Sequence, residues 1–219
     1  MTNRRDDSPD PVTPSRLHPL TLSPSHPVTP GRPPGVIPEV YAKHLEEFAF
    51  LWGQRQAALR SPDYMLSDVA RLEERLAAHR DGLLLAGEAA IPALEAVMAG
   101  EDPQAVSAAA YILLSLKIPK AAERVVEALL RAEAEKLEAL RQPLCHGPID
   151  LIEKPLRDAA ESAPAPAAVT ALEALAFHHR PDPAVDRLVE YVQDKNPQVR
   201  RTAWHIMATQ NSAGSRDAN

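Results

Sequence analysis

Helices that open on a proline recur along this chain at a near-constant interval, and no other feature narrows the possible folds as much. Pro103, Pro166 and Pro197 each start an apolar run of helical spacing, and they stand 63 and 31 residues apart. These separations are two units and one unit of about 31 residues, in the range where helical-hairpin arrays repeat. Six residues after each proline stands Ala109, Leu172 or Ala203, and nine after it Ile112, Leu175 or Ile206. A unit of this size cannot bury its own apolar face, so neighbouring units must cover it. The copy between Pro103 and Pro166 is degenerate, because a long charged helix over about 120–140 occupies its register.

The clearest unit runs from Asp102 to Arg131. The Asp102 carboxylate can accept from the first free N–H groups of a helix, and Pro103 suits the first helical position, where an N–H is not needed. That helix carries Val106, Ala109, Ala110, Leu113 and Leu116. After a break at Lys117-Ile118-Pro119, a second carries Ala122, Val125, Val126, Leu129 and Leu130 and is expected to continue to about Leu140. Upstream, Tyr41, Leu45, Phe48, Trp52, Arg55 and Leu59 fall on one face of a helix that ends before Ser61-Pro62. A helix from Ser67 or Asp68 to Leu85 and a shorter one through Ile91, Leu94, Val97 and Met98 follow. Downstream, Gln142 to Pro148 reads as a loop by its proline and glycine content. Further helices are expected around Ile152 and Leu156, from Ala167 to His178, after Asp182-Pro183 and after Asn196-Pro197.

Composition agrees with helices and restricts function. Only 4% of residues are aromatic, while Ala, Leu and Glu abound, which favours helix over sheet. The net charge of −6 argues against a general nucleic-acid binder, which usually presents a basic face. No stretch reaches the roughly 18 apolar residues of a membrane span, and no apolar run follows Arg4 and Arg5, so neither a membrane segment nor a secretory signal is expected. The single Cys145 fits a reducing cytoplasm. Residues 1–38 hold 10 of the 22 prolines and little to bury, so residues 1–37 are expected to form a disordered arm. Its Pro11-x-x-Pro14, Pro24-x-x-Pro27 and Pro27-x-x-Pro30 spacings suit an aromatic groove, but also arise from composition alone. A helical repeat domain over 38–210 and a fraying tail over 211–219 complete the expected layout.

Two stretches carry a likeness to known sequences. Asn196-Pro-Gln-Val-Arg-Arg-Thr-Ala203 resembles the HEAT-repeat signature of an Asp/Asn-Pro start, a Val-Arg pair and a small residue. Asp102-Pro-Gln-Ala-Val-Ser-Ala-Ala109 matches it without the arginine. The run from Tyr41-Ala-Lys-His-Leu-Glu-Glu-Phe to Ser61-Pro62, then Asp68-Val-Ala-Arg-Leu-Glu-Glu-Arg to Gly82-Leu83, with Gly87-Glu-Ala-Ala and Glu101-Asp-Pro, resembles the opening of an uncharacterised proteobacterial HEAT-like family. Members of that family are often encoded beside type VI secretion genes. The resemblance implies an all-α, HEAT-like right-handed superhelix and an adaptor or accessory role for a secretion effector or spike component in the bacterial cytoplasm. An immunity protein that binds a cognate toxin, and a HEAT-like metal-dependent or nucleic-acid-modifying enzyme, are the other readings. The family supplies no catalytic residues to carry over, and this chain departs from it by its proline-rich front and shorter length.

Candidate chemistry is sparse. His178, His179, Asp182 and His205 invite a metal, but adjacent histidines on a helix point about 100° apart. Cys145-His146 invites a nucleophile, yet a thiolate also needs a base placed in space and an oxyanion site. No catalytic, cofactor-binding or metal-ligating residue is therefore assigned. Asp102, Pro103, Asn196 and Pro197 are read as repeat positions, and Arg200 as a tie to the carboxylate of Asp194 or Asp186. The last helix shows Trp204, Ile206 and Met207 on more than one side, although a terminal repeat usually has a polar outer face. These three residues are the candidate contact with a protein partner or another copy, unless Trp204 folds back on the preceding hairpin.

Overall fold

Every regular element among the described residues is a helix. The computed structural model describes residues 37–180 and 186–214, without the side chains of residue 134 and residues 210–214. The expectations for the proline-rich arm, for Asp182-Pro183 and for the tail past residue 214 lie outside the described residues. The chain divides between Gly35 and Val36 into two units, and all described residues belong to the second.

The helices are α1 (Pro38–Ala58), α2 (Leu66–Leu84), α3 (Ile91–Ala99, after a 3-10 turn at Gly87–Ala90), α4 (Pro103–Ser115) and α5 (Pro119–Arg131). They continue as α6 (Ala134–His146), α7 (Glu153–Ser162), α8 (Ala165–Phe177), the single turn α9 (Leu188–Tyr191) and α10 (Pro197–Gly214). Among them no single helix is long and apolar enough to cross a membrane. Local chemistry sets most starts. Asp102 Oδ1 accepts from Gln104 N–H at 3.0 Å and Asn196 Oδ1 from Gln198 N–H at 2.9 Å, each just ahead of a proline in the first helical position.

Two helices organise the packing. α4 buries Val106 to Ala110 and Ile112 to Leu114, and α8 buries nine consecutive residues from Ala167 to Leu175. A helix that is apolar on all sides has to be covered on all sides. α4 is accordingly enclosed by α1, α3, α5 and α6, and α8 by α6, α7, α9 and α10. Alanines at 108, 109, 110, 167, 168, 171 and 174 keep both rods thin, which lets the covering helices approach. The contacts run in sequence from α1 to α4, α6, α8 and α10, with α2, α3, α5, α7 and α9 packed alongside.

Three expectations are corrected. The helix expected to run on to Leu140 is broken, because Ala132 and Glu133 are both extended. A straight rod cannot pack α5 against α4 and α7 and also carry Leu137, Leu140 and Leu144 into the core between α4 and α8. The break puts a helix start at residue 134, so α4, α6, α8 and α10 begin at 103, 134, 165 and 197, and the degenerate copy has a regular helix after all. The expected loop over Gln142 to Pro148 is instead the end of α6, with Pro143 inside it. A proline there removes the N–H that would bond the Ala139 carbonyl. The buried Ser107 hydroxyl of α4 donates to that carbonyl at 2.6 Å, so a neighbouring helix satisfies the group that proline frees. α6 then ends on Gly147, where a Cβ would lie 2.7 Å from the Pro143 carbonyl and 2.8 Å from a Leu114 methyl. Finally, α10 continues to Gly214 rather than ending at 210, since no proline or glycine interrupts residues 198–213.

α1 and α2 are joined by polar contacts as well as by Leu45, Phe48, Leu76 and Leu83. Arg55 pairs with Glu73 at 2.8 Å, and the Nδ1 atoms of His44 and His79 stand 3.0 Å apart. Such a contact needs one protonated and one bare nitrogen, so a second proton breaks it. Burial, then the charge of His44, holds His79 below the ordinary histidine value of 6.5. Burial, then the charge of Arg55, does the same to His146 at the end of α6.

Two outcomes follow. Ser107→Ala should cost about 1–3 kcal/mol in urea unfolding by orphaning the Ala139 carbonyl, and much less in a Pro143→Ala background, where an N–H returns. Both histidines are depressed in the folded state, so the unfolded chain takes up protons first as pH falls. Stability should be level above the ordinary value of 6.5 and decline below it. Melting temperatures between about pH 7.5 and pH 5.5 should show that decline, and His79→Gln with His146→Gln should flatten it.

Candidate functional site

One charged residue, Glu173, interrupts the apolar helix α8, and it lies on the floor of a cleft. The cleft holds about 670 Å³. Its walls are α6, through Glu135, Glu138 and Arg141, and α10, through Gln198, Arg201, Thr202 and His205, with Arg60 entering from just past α1. The wall residues follow from helical spacing. Positions 135 and 138 on α6 and 198, 201 and 205 on α10 fall three or four apart, opposite the buried faces of Leu137–Leu140 and Val199–Ala203.

The floor is a polar network that runs from exposed Glu138 through half-buried Arg141 to buried Glu173. Arg141 donates from Nη1 to Glu173 Oε1 and from Nη2 to Glu138 Oε1, both at 2.9 Å. Gln198 Nε2 donates to the other Glu138 oxygen at 3.3 Å, which links α10 to α6 across the opening. Burial works against the charge of Arg141, but Glu138 and Glu173 overcome it and hold the guanidinium above its ordinary range. Glu173 is only 7% exposed, and its Oε2 is buried without a hydrogen-bond partner. Withdrawing such a pair from water costs several kcal/mol per ion before the attraction is counted, so it is poor evidence for stability and a reason to look for a role. The neighbouring Cys145 is buried, and burial followed by the charge of Glu173 pushes its thiol up to about 12. It sits on α6 rather than in a loop, and it is a packing residue at neutral pH.

The cleft does not end at α6. Glu135 also lines a second cleft of about 860 Å³, bounded by Gly100, Pro103 and Val106 on one side and by Arg131 and Lys136 on the other. Arg131 and Lys136 in turn border a recess of about 360 Å³ with Glu95 and Arg124. Shared lining residues connect the three into one furrow that runs along α3, α5, α4, α6 and α10 and meets α8 at Glu173.

The residues singled out by sequence divide between surface and interior. Trp204 is 59% exposed and does not fold back, whereas Met207 is half-buried against the core. Ile206 is 1% exposed, so its place in a contact surface is corrected: it faces inward, one turn from Ala203. Asp102, Pro103, Asn196 and Pro197 cap and open helices as their spacing requires. Arg200 is a tie, but to the main chain. Its Nη1 donates to the carbonyls of Asp194 and Lys195 at 2.8 and 3.0 Å, while the Asp194 carboxylate is turned to Asn196 N–H. His178 contacts the Leu144 carbonyl at 3.2 Å, and His205 stands apart on the cleft wall. Asp182 lies outside the described residues, among which no three His, Cys, Asp or Glu side chains are grouped to share an ion. Sequence reasoning passed over Glu173 and Arg141. The signal for Glu173 was present, as the sole charge between Ala163 and Phe177. No family model, curated protein or solved structure matches the chain.

Arg141→Met should cost about 3 kcal/mol in urea unfolding, because it leaves the Glu173 charge buried and unpaired. Adding Glu173→Leu should recover most of that loss. A double variant as unstable as the single one would mean that the pair itself holds α6 to α8.

Proposed function

We propose that the protein is a non-catalytic protein-binding scaffold, a HEAT-like stack of helical hairpins that serves as an adaptor for a type VI secretion effector or spike component. The observation that carries the binding role is the polar furrow, which crosses successive helices and ends at the Arg141–Glu173 cleft. A long shallow channel over several elements suits an extended polypeptide better than a compact small molecule, whose sites are enclosed and mostly apolar. The near-31-residue spacing of α4, α6, α8 and α10, and their contacts in chain order, support the HEAT-like reading. The effector as partner, and the bacterial cytoplasm as setting, rest on the resemblance of residues 38–130 to the HEAT-like family.

Trp204 stands one turn from Arg201 on α10 and offers an exposed aromatic anchor beside the cleft. Trp204→Glu should abolish capture of the effector or spike protein from native-host lysate, or dissociate self-association, with helical circular dichroism unchanged. Undiminished capture together with an unaltered sedimentation profile would count against Trp204 as the anchor.

A further inference from the structure

The floor of the cleft is complete except in one respect. Arg141 pairs with both Glu138 and Glu173, and the Glu138 oxygen that accepts from Arg141 Nε also accepts from Gln198. Glu173 Oε2 is left buried with no donor. One guanidinium against two carboxylates leaves this group with one net negative charge, and that oxygen lacks a hydrogen-bond donor. A neutral donor such as a backbone amide satisfies it at the least desolvation cost.

The rim lacks the opposite. Among the described residues, Arg60, Arg75 and Arg201 are the arginines whose side chains carry no ion pair or hydrogen bond, and two of these three line this cleft. Both Arg60 and Arg201 are exposed, with His205 one turn beyond Arg201. A guanidinium presents a fork that matches a carboxylate. Glu135 lines the junction with the rest of the furrow and repels a continued acidic run there.

We propose that the cleft between α6 and α10 takes an extended acidic segment of a partner polypeptide. One main-chain amide of the segment donates to Glu173 Oε2, and Asp or Glu side chains of the segment pair with Arg60 and Arg201. This rests on the scaffold reading and adds the chemistry of what is held.

The test uses the full chain and fluorescein-labelled, acetylated octapeptides read by fluorescence anisotropy: one with two adjacent Asp/Glu residues, a matched Asn/Gln peptide and a matched Lys peptide. The acidic peptide should bind at least about tenfold more tightly than either control. Arg60→Glu and Arg201→Glu should each weaken it about tenfold, while Arg75→Glu, an exposed charge on α2, should leave it unchanged. N-methylation at one position of the acidic peptide should weaken it comparably, and at its neighbours much less. Equal binding of the Asn/Gln peptide, preference for the Lys peptide, or an Arg75→Glu loss as large as that of Arg201→Glu would overturn the proposal. Indifference to N-methylation at every position would remove the role given to Glu173 Oε2. If no peptide binds while the effector is still captured from lysate, the cleft assignment falls and the scaffold reading stands. If capture fails too, both fall.

Discussion

Burial of two helices with no polar side is the constraint from which the rest of the arrangement follows. Between their first turns and their C-terminal ends α4 and α8 expose almost nothing, so each must be surrounded. A fully buried aliphatic side chain contributes about 1.5–3 kcal/mol, and α4 and α8 together bury seven aliphatic side chains other than alanine: Val106, Ile112, Leu113, Leu114, Val169, Leu172 and Leu175. α6 is the helix that serves both rods, and its breaks at 132–133 and at Gly147 let it lie against both.

Enclosure at this density makes polar groups costly, and several main-chain groups are answered in a specific way. The carbonyl freed by Pro143 receives the Ser107 hydroxyl. The carbonyls at the end of α7 receive the Arg187 guanidinium, and those past α9 receive Arg200. Each of these closes a main-chain group that a helix end or a proline leaves open. The hydroxyls of Tyr41 and Tyr191 and the second oxygen of Glu173 are not closed from within, and of these three Glu173 lies on the floor of the cleft. A buried carboxylate half-satisfied inside an otherwise satisfied network is the point at which packing stops explaining the residues and binding begins to.

Much of the helix layout was legible in the residues. Starts at Asp102-Pro103 and Asn196-Pro197 combine a side-chain cap with a ring that fixes the backbone, and both signals are local. Apolar spacing located Leu45, Phe48 and Trp52, Ile91 and Leu94, and Val125 and Leu129 in the core. It failed at Leu59 and Leu130, which are about half exposed, because each stands at a helix end where the covering neighbour has already passed. It also failed at Gln142–His146, where proline and glycine signalled a loop. Their local preference was overruled by a hydrogen bond from a residue 32 positions earlier.

By itself the sequence determined that the chain is helical, where most helices begin, and that their starts recur at close to 31 residues, since propensity, capping and periodicity are set by neighbours in the chain. Only the tertiary structure decided that the charged run near 132 breaks, that Pro143 is held within a helix, that Ile206 points inward and Trp204 outward, and that Glu173 meets Arg141 at the bottom of a cleft. Each of those outcomes depends on which helix lies alongside, and on whether a polar group finds its partner there or is left for another molecule to supply.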